Sequence, residues 1–189
     1  MEFHFAPLNN SNWKQFEELF GKNGACGGCW CMAWRLPNAV FNNMKGEGNK
    51  KAFKILLKKS SPGVVAFDGE QAVGWCAVAP REEYIKLENS RVLKPVDERK
   101  VWSVSCFFIK KEYRKKGLST LLLKATAGFA FDKGATIVEG YPIAQKAGSK
   151  MPDVFAWTGL LPTFIKAGFK EAGRRSETRP IMRLEKNKK

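Results

Sequence analysis

Apolar and polar positions alternate along the chain in short blocks, and two blocks near the N-terminus have helical spacing. A first helix is predicted after Ser11, a residue type that often caps helices. Its apolar residues share one face: Trp13, Phe16, Leu19 and Phe20. A second helix is predicted over residues 49–59, where lysines face outward and three apolar residues face inward, namely Phe53, Leu56 and Leu57.

The next blocks have the composition of β-strands. Residues 63–67 and 71–79 are apolar and flank Asp68-Gly69, a dipeptide typical of hairpin turns. Residues 80–100 are charged and contain prolines, so we predict an exposed connection that has room for a short helix. Residues 101–109 are predicted to form a central strand.

The C-terminal half alternates helices and strands. A helix is predicted from its apolar stripe and ends at Lys133-Gly134; the stripe consists of Leu118, Leu121, Leu122, Ala125 and Phe129. The following predictions are a strand over 135–141, a loop over 145–152, a helix over 154–166 and an antiparallel pair over 169–174 and 180–185. This order predicts one α/β (α+β) domain, with a mainly antiparallel central sheet flanked by helices.

A basic, glycine-containing turn separates the central strand from the helix that follows it. It reads Tyr113, Arg114, Lys115, Lys116, Gly117, Leu118, Ser119, Thr120. A helix start presents unpaired N–H groups and the positive end of the helix dipole, and Gly117 allows a close approach to the backbone. The turn is therefore suited to holding a phosphate or pyrophosphate.

These residues resemble the acetyl-CoA loop of the GCN5-related N-acetyltransferases. The family pattern is Gln/Arg-x-x-Gly-x-Gly/Ala, and Ser119 departs mildly from its last position. Residues 160–169 also resemble the family's late helix, which ends in Gly-Phe, here Gly168-Phe169. The resemblance covers residues 60–185 and leaves residues 1–60 as the variable helices on the acceptor side.

The resemblance implies transfer of an acetyl group from acetyl-CoA to a primary amine of a small molecule or peptide. Residues 114–120 would hold the pyrophosphate. The pantetheine arm would pair with the strand before the turn, at Phe107, Phe108 and Ile109. A fixed N–H near Phe107 would polarise the thioester carbonyl.

Two residues are candidates for proton transfer. Glu139 is the sole acid within residues 135–141 and is the predicted base for the amine, with an outward-facing surface position as the alternative. Many relatives use a tyrosine of the late helix as acid, but that position here is Phe164. Tyr141 is the nearest substitute along the sequence.

Composition limits the class of protein. The chain has 189 residues, of which 44% are hydrophobic, and this favours a single globular domain spanning residues 1–189. It contains no apolar run near the roughly 20 residues that a membrane helix needs, and no secretory signal, so we expect a cytoplasmic monomer or homodimer.

The net charge of +15 is large for a chain of this length. It fits either a solvated lysine surface or an acidic or nucleic-acid partner. The alternative to an enzyme is therefore a non-catalytic module of the same fold that binds nucleic acid or regulates.

Five cysteines and no export signal argue against a disulfide framework. Cys76 and Cys106 fall in apolar strands and are expected to be buried. Cys26, Cys29 and Cys31 have three open interpretations: a zinc site completed by His4, a packed small-residue loop, or thiols on the acceptor side. A second ligand pair is missing, so we predict no metal. Trp30, Trp34 and Arg35 could line an acceptor pocket.

Overall fold

The structure is a computed structural model, and it describes residues 2–145 and 156–187. The helices are α1 (Trp13–Phe20), α2 (Asn38–Asn43), α3 (Glu47–Lys59), α4 (Ile85–Glu88), α5 (Leu118–Asp132) and α6 (Leu161–Lys166). The strands are β1 (Phe3–Pro7), β2 (Gly63–Asp68), β3 (Gln71–Pro80), β4 (Trp102–Ile109), β5 (Ile137–Gly140), β6 (Lys170–Arg174) and β7 (Pro180–Glu185). None of the helices in these residues is long and apolar enough to cross a membrane.

The strands form one sheet in the order β1-β2-β3-β4-β5-β7-β6. All neighbouring pairs are antiparallel except β4 and β5, which are parallel. This confirms the predicted fold class, a mixed and mainly antiparallel sheet with flanking helices. It also confirms that residues 101–109 contain the central strand.

The parallel strands β4 and β5 stop pairing part-way along β4, and we call the space beside the unpaired part of β4 the cleft. β4 and β5 pair over three positions, and the last of them joins Val104 to Gly140. β4 then continues to Ile109, while β5 has already ended. The far half of β4 therefore has no β5 residue beside it, and its backbone groups on that side are open to other partners.

A bulge lies where this cleft begins. Ala77 of β3 pairs with Cys106, whereas the next residue, Val78, pairs with Val104. Ser105 is the extra residue of β4, and such a bulge bends a strand and redirects its side chains.

Helices cover both faces of the sheet. α5 packs on one face through a stripe of buried residues: Leu118, Leu122, Leu123, Thr126, Ala127 and Ala130. α1 and α3 pack on the other face, where Phe16, Phe53 and Trp75 form an aromatic cluster. The basic turn before α5 and the aromatic cluster therefore belong to opposite faces of the sheet.

The N-terminal part differs from the prediction in three ways. Residues 1–60 are not helices alone, because β1 pairs with β2 at the sheet edge. The short helix α2 was not predicted, since it buries no side chain and so has no apolar stripe. Ser11 does not cap α1: Asn12 holds that position, and the Ser11 hydroxyl donates to Asn9 instead.

Three later predictions were also wrong. The connection over residues 80–100 is not exposed throughout, because Tyr84, Leu87 and Leu93 are buried. Leu121 of the predicted α5 stripe is 46% exposed. The late helix begins at Leu161 rather than at residue 154, and residues 156–160 are not helical. The predicted loop over 145–152 falls almost entirely outside the described residues.

Candidate functional site

The basic turn lies at the start of α5, as predicted. Gly117 precedes the helix in a left-handed conformation, with φ +81°, and no side chain within the described residues caps the helix start. Lys115, Lys116 and Gly117 are exposed. The turn therefore presents backbone N–H groups and two ammonium groups to solvent on one side.

The turn is tied to the end of β4. The Arg114 Nε donates a hydrogen bond of 2.9 Å to the carbonyl of Ile109, the last residue of the strand. Among residues 2–145 and 156–187, apart from its two chain neighbours, no atom lies within 4 Å of a Cβ added at Gly117. Strand end and turn thus form one unit with an unobstructed surface.

The open edge of β4 carries a contact that the sequence did not predict. The N–H of Phe107 points into the cleft and donates to the carbonyl of Trp157 at 2.6 Å. The Phe107 ring lies on the α5 side of the sheet and packs against Phe164, with 6.0 Å between ring centroids. Phe108, the next residue of β4, lies opposite Trp75 of β3 in the sheet register. The Phe107 N–H, which was predicted to polarise a thioester carbonyl, is therefore already hydrogen-bonded to the carbonyl of Trp157.

Glu139 is fully buried in β5, so the alternative of an outward-facing surface residue is wrong. Its Oε1 accepts from Arg81 Nη1 at 3.1 Å and from the Tyr141 hydroxyl at 2.7 Å. Its Oε2 accepts from Arg183 Nε at 2.7 Å. The two guanidinium groups compensate the buried carboxylate, as burial of a charge requires. Its predicted role as a base stays a prediction, and these contacts favour a supporting role.

Tyr141 belongs to the same network. Its hydroxyl accepts from Arg81 Nη1 at 2.6 Å and lies 2.8 Å from the Ser103 hydroxyl of β4. Burial raises the pKa of Tyr141 well above its usual value. The phenol therefore keeps its proton, but it is enclosed by β4 and β5 rather than open to the cleft. Its predicted role as an acid also stays a prediction.

The network continues to the surface through Asp97. Arg183 Nη1 donates to Asp97 at 2.7 Å, and this hydrogen bond is the main reason that the pKa of Asp97 is lowered. This network of hydrogen bonds thus connects β5 and β7 to the segment between β3 and β4. Glu139 lies at its centre.

A second set of polar contacts on the same face of the sheet was not predicted. Arg35 is buried; its guanidinium pairs with Glu83 and lies 4.5 Å from the centroid of the Tyr84 ring. The Tyr84 hydroxyl accepts a hydrogen bond of 3.4 Å from Arg35 Nη2, and burial raises the pKa of Tyr84. Arg35 and Tyr84 are 49 residues apart in the chain, and no spacing signal could have joined them.

The predicted aromatic wall is partly assembled. Trp34, next to Arg35 in the chain, packs against Trp157 at 5.6 Å between ring centroids. Its indole N–H is buried and has no hydrogen-bond partner within residues 2–145 and 156–187. Trp30 lies elsewhere, stacked between Phe20 and Trp13 in the core beneath α1. Trp34 and Trp157 therefore border the cleft, whereas Trp30 does not.

The cysteine cluster runs from the surface into the core. Cys26 is exposed, Cys29 is half-buried and Cys31 is buried, where it accepts a hydrogen bond of 3.1 Å from the Trp75 indole. His4 of β1 stacks on Phe67 of β2 rather than joining the thiols. In the part of the chain that the structure describes, no three His, Cys, Asp or Glu side chains could hold a metal ion together. The absence of a metal stays a prediction.

We expect the cysteines to react with a thiol reagent at very different rates. Burial raises the pKa of Cys29 to about 11, and the pKa of Cys31 is also raised, first by its hydrogen bond to Cys106. Because the thiolate is the reactive form, Cys26 should be alkylated first at neutral pH, and Cys31 only after unfolding. Mass spectrometry of peptides over time measures this order. A Cys26→Ser variant should lose the fast phase; rapid native labelling of Cys31 would contradict the burial argument.

Comparison with protein families gives one match. The model of the acetyltransferase (GNAT) family matches residues 30–142, which is more than half of the chain and includes both β4 and the basic turn. No curated protein sequence matches significantly.

Comparison with solved structures gives many matches of the same fold. One is a PaiA N-acetyltransferase from Thermoplasma acidophilum in complex with coenzyme A, with a TM-score of 0.54 and 14% identity over 98% of this chain and 100% of that one. A GNAT-family acetyltransferase from Listeria monocytogenes has a TM-score of 0.57 and 8% identity over 98% and 95%. Arylalkylamine N-acetyltransferase 2 from Aedes aegypti has a TM-score of 0.56 and 12% identity over 99% and 100%. At these identities the likeness shows the fold.

Proposed function

The chain belongs to the acetyltransferase (GNAT) family, and we propose that it transfers an acetyl group from acetyl-CoA to a primary amine. One observation carries the proposal: the basic turn at the start of α5 is tied to the end of β4 beside the cleft between β4 and β5. The similar PaiA protein was crystallised with coenzyme A, which is consistent with this donor.

In this proposal the turn binds the pyrophosphate of the donor. The unpaired N–H groups at the start of α5 would donate to its oxygens, and Lys115 and Lys116 would add positive charge. Gly117 fits because no described residue other than its chain neighbours lies within 4 Å of the position of a Cβ there. The pantetheine arm would follow β4 toward the bulge and pair with the backbone of Phe107 and Ile109.

The chemical step is attack of a neutral amine on the thioester carbonyl. A C–N bond forms, the C–S bond breaks, the amine loses a proton and the departing thiolate gains one. Negative charge develops on the carbonyl oxygen, and a fixed backbone N–H such as that of Phe107 would stabilise it. Trp34, Arg35 and Glu83 border the same face of the sheet, so we place the acceptor there.

The remaining step is proton transfer. Glu139 and Tyr141 remain the proposed base and acid, but both are buried and bonded to each other. A general base must come within hydrogen-bond reach of the proton that it takes, directly or through one water. Tyr141 and Ser103 separate Glu139 from the bulge, so a proton would have to reach the carboxylate through these two hydroxyls.

A coupled assay tests the proposed function. Calorimetry should show that the purified protein binds acetyl-CoA, and a thiol reagent should detect free CoA when a suitable primary amine is added. A panel of small amines, polyamines, aryl-alkyl amines and peptides with free N-termini would identify the acceptor class. Absence of acetyl-CoA binding would refute the proposal.

The second candidate, a non-catalytic module that binds nucleic acid, is favoured by the net charge of +15 and by the burial of Glu139. It predicts RNA or DNA binding that weakens steeply as salt is added, because phosphate contacts release counterions. Such binding without turnover of acetyl-CoA would favour this candidate over the enzyme.

A further inference from the structure

A short segment lies across the open edge of β4 in the cleft. We call residues 156–160 the strap. Its Trp157 carbonyl accepts the hydrogen bond of 2.6 Å from the N–H of Phe107. An N–H has one hydrogen to give, so a second acceptor could bind there at full strength only after the Trp157 carbonyl leaves.

Backbone contacts hold the strap from its far end. The N–H of Ile143 donates to Gly159 at 2.9 Å, and the N–H of Leu161 donates back to Ile143 at 3.0 Å. These bonds align the strap with the chain that leaves β5. One isolated parallel bridge, between Ile143 and Leu160, therefore joins the strap to this segment.

Side chains hold the two sides of the strap. Arg179 Nη1 donates to the buried Thr158 hydroxyl at 2.8 Å on one side. The Trp157 ring packs on Trp34 on the other side. Each contact can be removed by one substitution outside the basic turn.

Gly159 allows the strap to lie this deep. Its φ of +86° is a left-handed conformation that favours glycine. A Cβ here would lie 2.8 Å from the Phe164 ring and 3.1 Å from the Phe107 ring. Phe164 therefore packs against the strap. Because phenylalanine lacks the hydroxyl of a tyrosine, this side of the cleft is apolar.

We propose that the strap is an internal competitor of the acyl donor. The Trp157 carbonyl occupies the N–H that a thioester carbonyl needs, so the acyl donor binds fully only when the strap is released from β4. Because the Trp157 ring also packs on Trp34, release of the strap opens the acceptor side at the same time. The inference rests on the proposed function, since it concerns the same donor site.

The competition makes a quantitative prediction. A ligand that binds only the open form has an apparent affinity reduced by the fraction of open molecules. Weakening the strap should therefore tighten acetyl-CoA binding. An aromatic pair or one buried hydrogen bond corresponds to a change of about two- to tenfold in such an equilibrium.

The experiment compares Trp34→Ala and Thr158→Val with the wild-type protein, with Thr163→Val in α6 as control. Hydrogen exchange of the Phe107 amide in the free protein reports the strap, and calorimetry with acetyl-CoA reports the donor site. We expect both strap variants to exchange faster at Phe107 and to bind acetyl-CoA about two- to tenfold more tightly. The control should match the wild-type protein.

Three results would overturn the inference. Faster exchange at Phe107 with unchanged or weaker acetyl-CoA binding would show that the strap is a fixed wall and no competitor. Unchanged exchange in both variants would show that the Trp34 and Thr158 contacts do not hold the strap. If neither the wild-type protein nor any variant binds acetyl-CoA, the proposed function itself fails and this inference fails with it.

Discussion

Replacing Glu139 with glutamine should lower the free energy of unfolding by about 3–5 kcal/mol, the usual cost of breaking a buried ion pair by removing one partner. Arg81 and Arg183 both donate to this carboxylate, and Glu139 is fully buried. Glutamine keeps the shape but leaves the two guanidinium groups without that charge. Chemical denaturation followed by circular dichroism measures the change.

The matched control is Glu185→Gln, which makes the same chemical change on the surface. Glu185 pairs with Arg99 at 2.8 Å, and both side chains are more than half exposed. Exposed pairs contribute at most about 1 kcal/mol, so this variant should be nearly neutral. The pair of variants isolates the effect of burial.

The same variant decides between the two roles of Glu139. If it is the general base, turnover per folded molecule should fall by about 100-fold or more, in addition to the loss of stability. If it supports the sheet, stability should fall, and turnover per folded molecule should change much less. A stable and fully active Glu139→Gln protein would contradict both roles.

Replacing Gly117 with glutamate should weaken acetyl-CoA binding by at least about 100-fold. The new carboxylate would enter the space above the start of α5, where the donor pyrophosphate is proposed to bind. Losing two hydrogen bonds to a charged group costs about 3 kcal/mol or more, which corresponds to that change in affinity. Calorimetry with acetyl-CoA measures it directly.

Gly134→Glu is the matched control for this change. Gly134 also has a positive φ, +93°, and open space at its Cβ, but it follows the opposite end of α5. Both variants therefore add the same charge and similar backbone strain. Equal acetyl-CoA affinities in Gly117→Glu and Gly134→Glu would show that the basic turn does not hold the donor.

Local pattern was sufficient for the elements that carry strong periodicity. The hairpin around Asp68-Gly69, the central strand and the helix after Gly117 were all predicted, because their burial follows from positions close together in the sequence. The basic turn was predicted for the same reason: its Arg, Lys and Gly residues are consecutive. The family resemblance rested on that stretch together with the late Gly168-Phe169, and the family match confirms it.

Local pattern failed where elements are short or weakly amphipathic. β1 has five residues and is only partly buried, and α2 buries no side chain. Such segments gain their structure from the sheet or helix against which they lie, as β1 does from β2. Their own sequences contain too little signal to show it.

The sequence by itself determined the hairpin, the central strand, the basic turn and the family, since each depends on residues that are neighbours in the chain. The tertiary structure alone decided the chemistry around them. It paired Glu139 with Arg81 and Arg183, 58 and 44 residues away, and it brought the Trp157 carbonyl onto the N–H of Phe107. The physical reason is that a buried charge or N–H group must be paired, and it pairs with whichever partner the fold brings near. That choice depends on the packing of distant segments, and sequence spacing does not encode it.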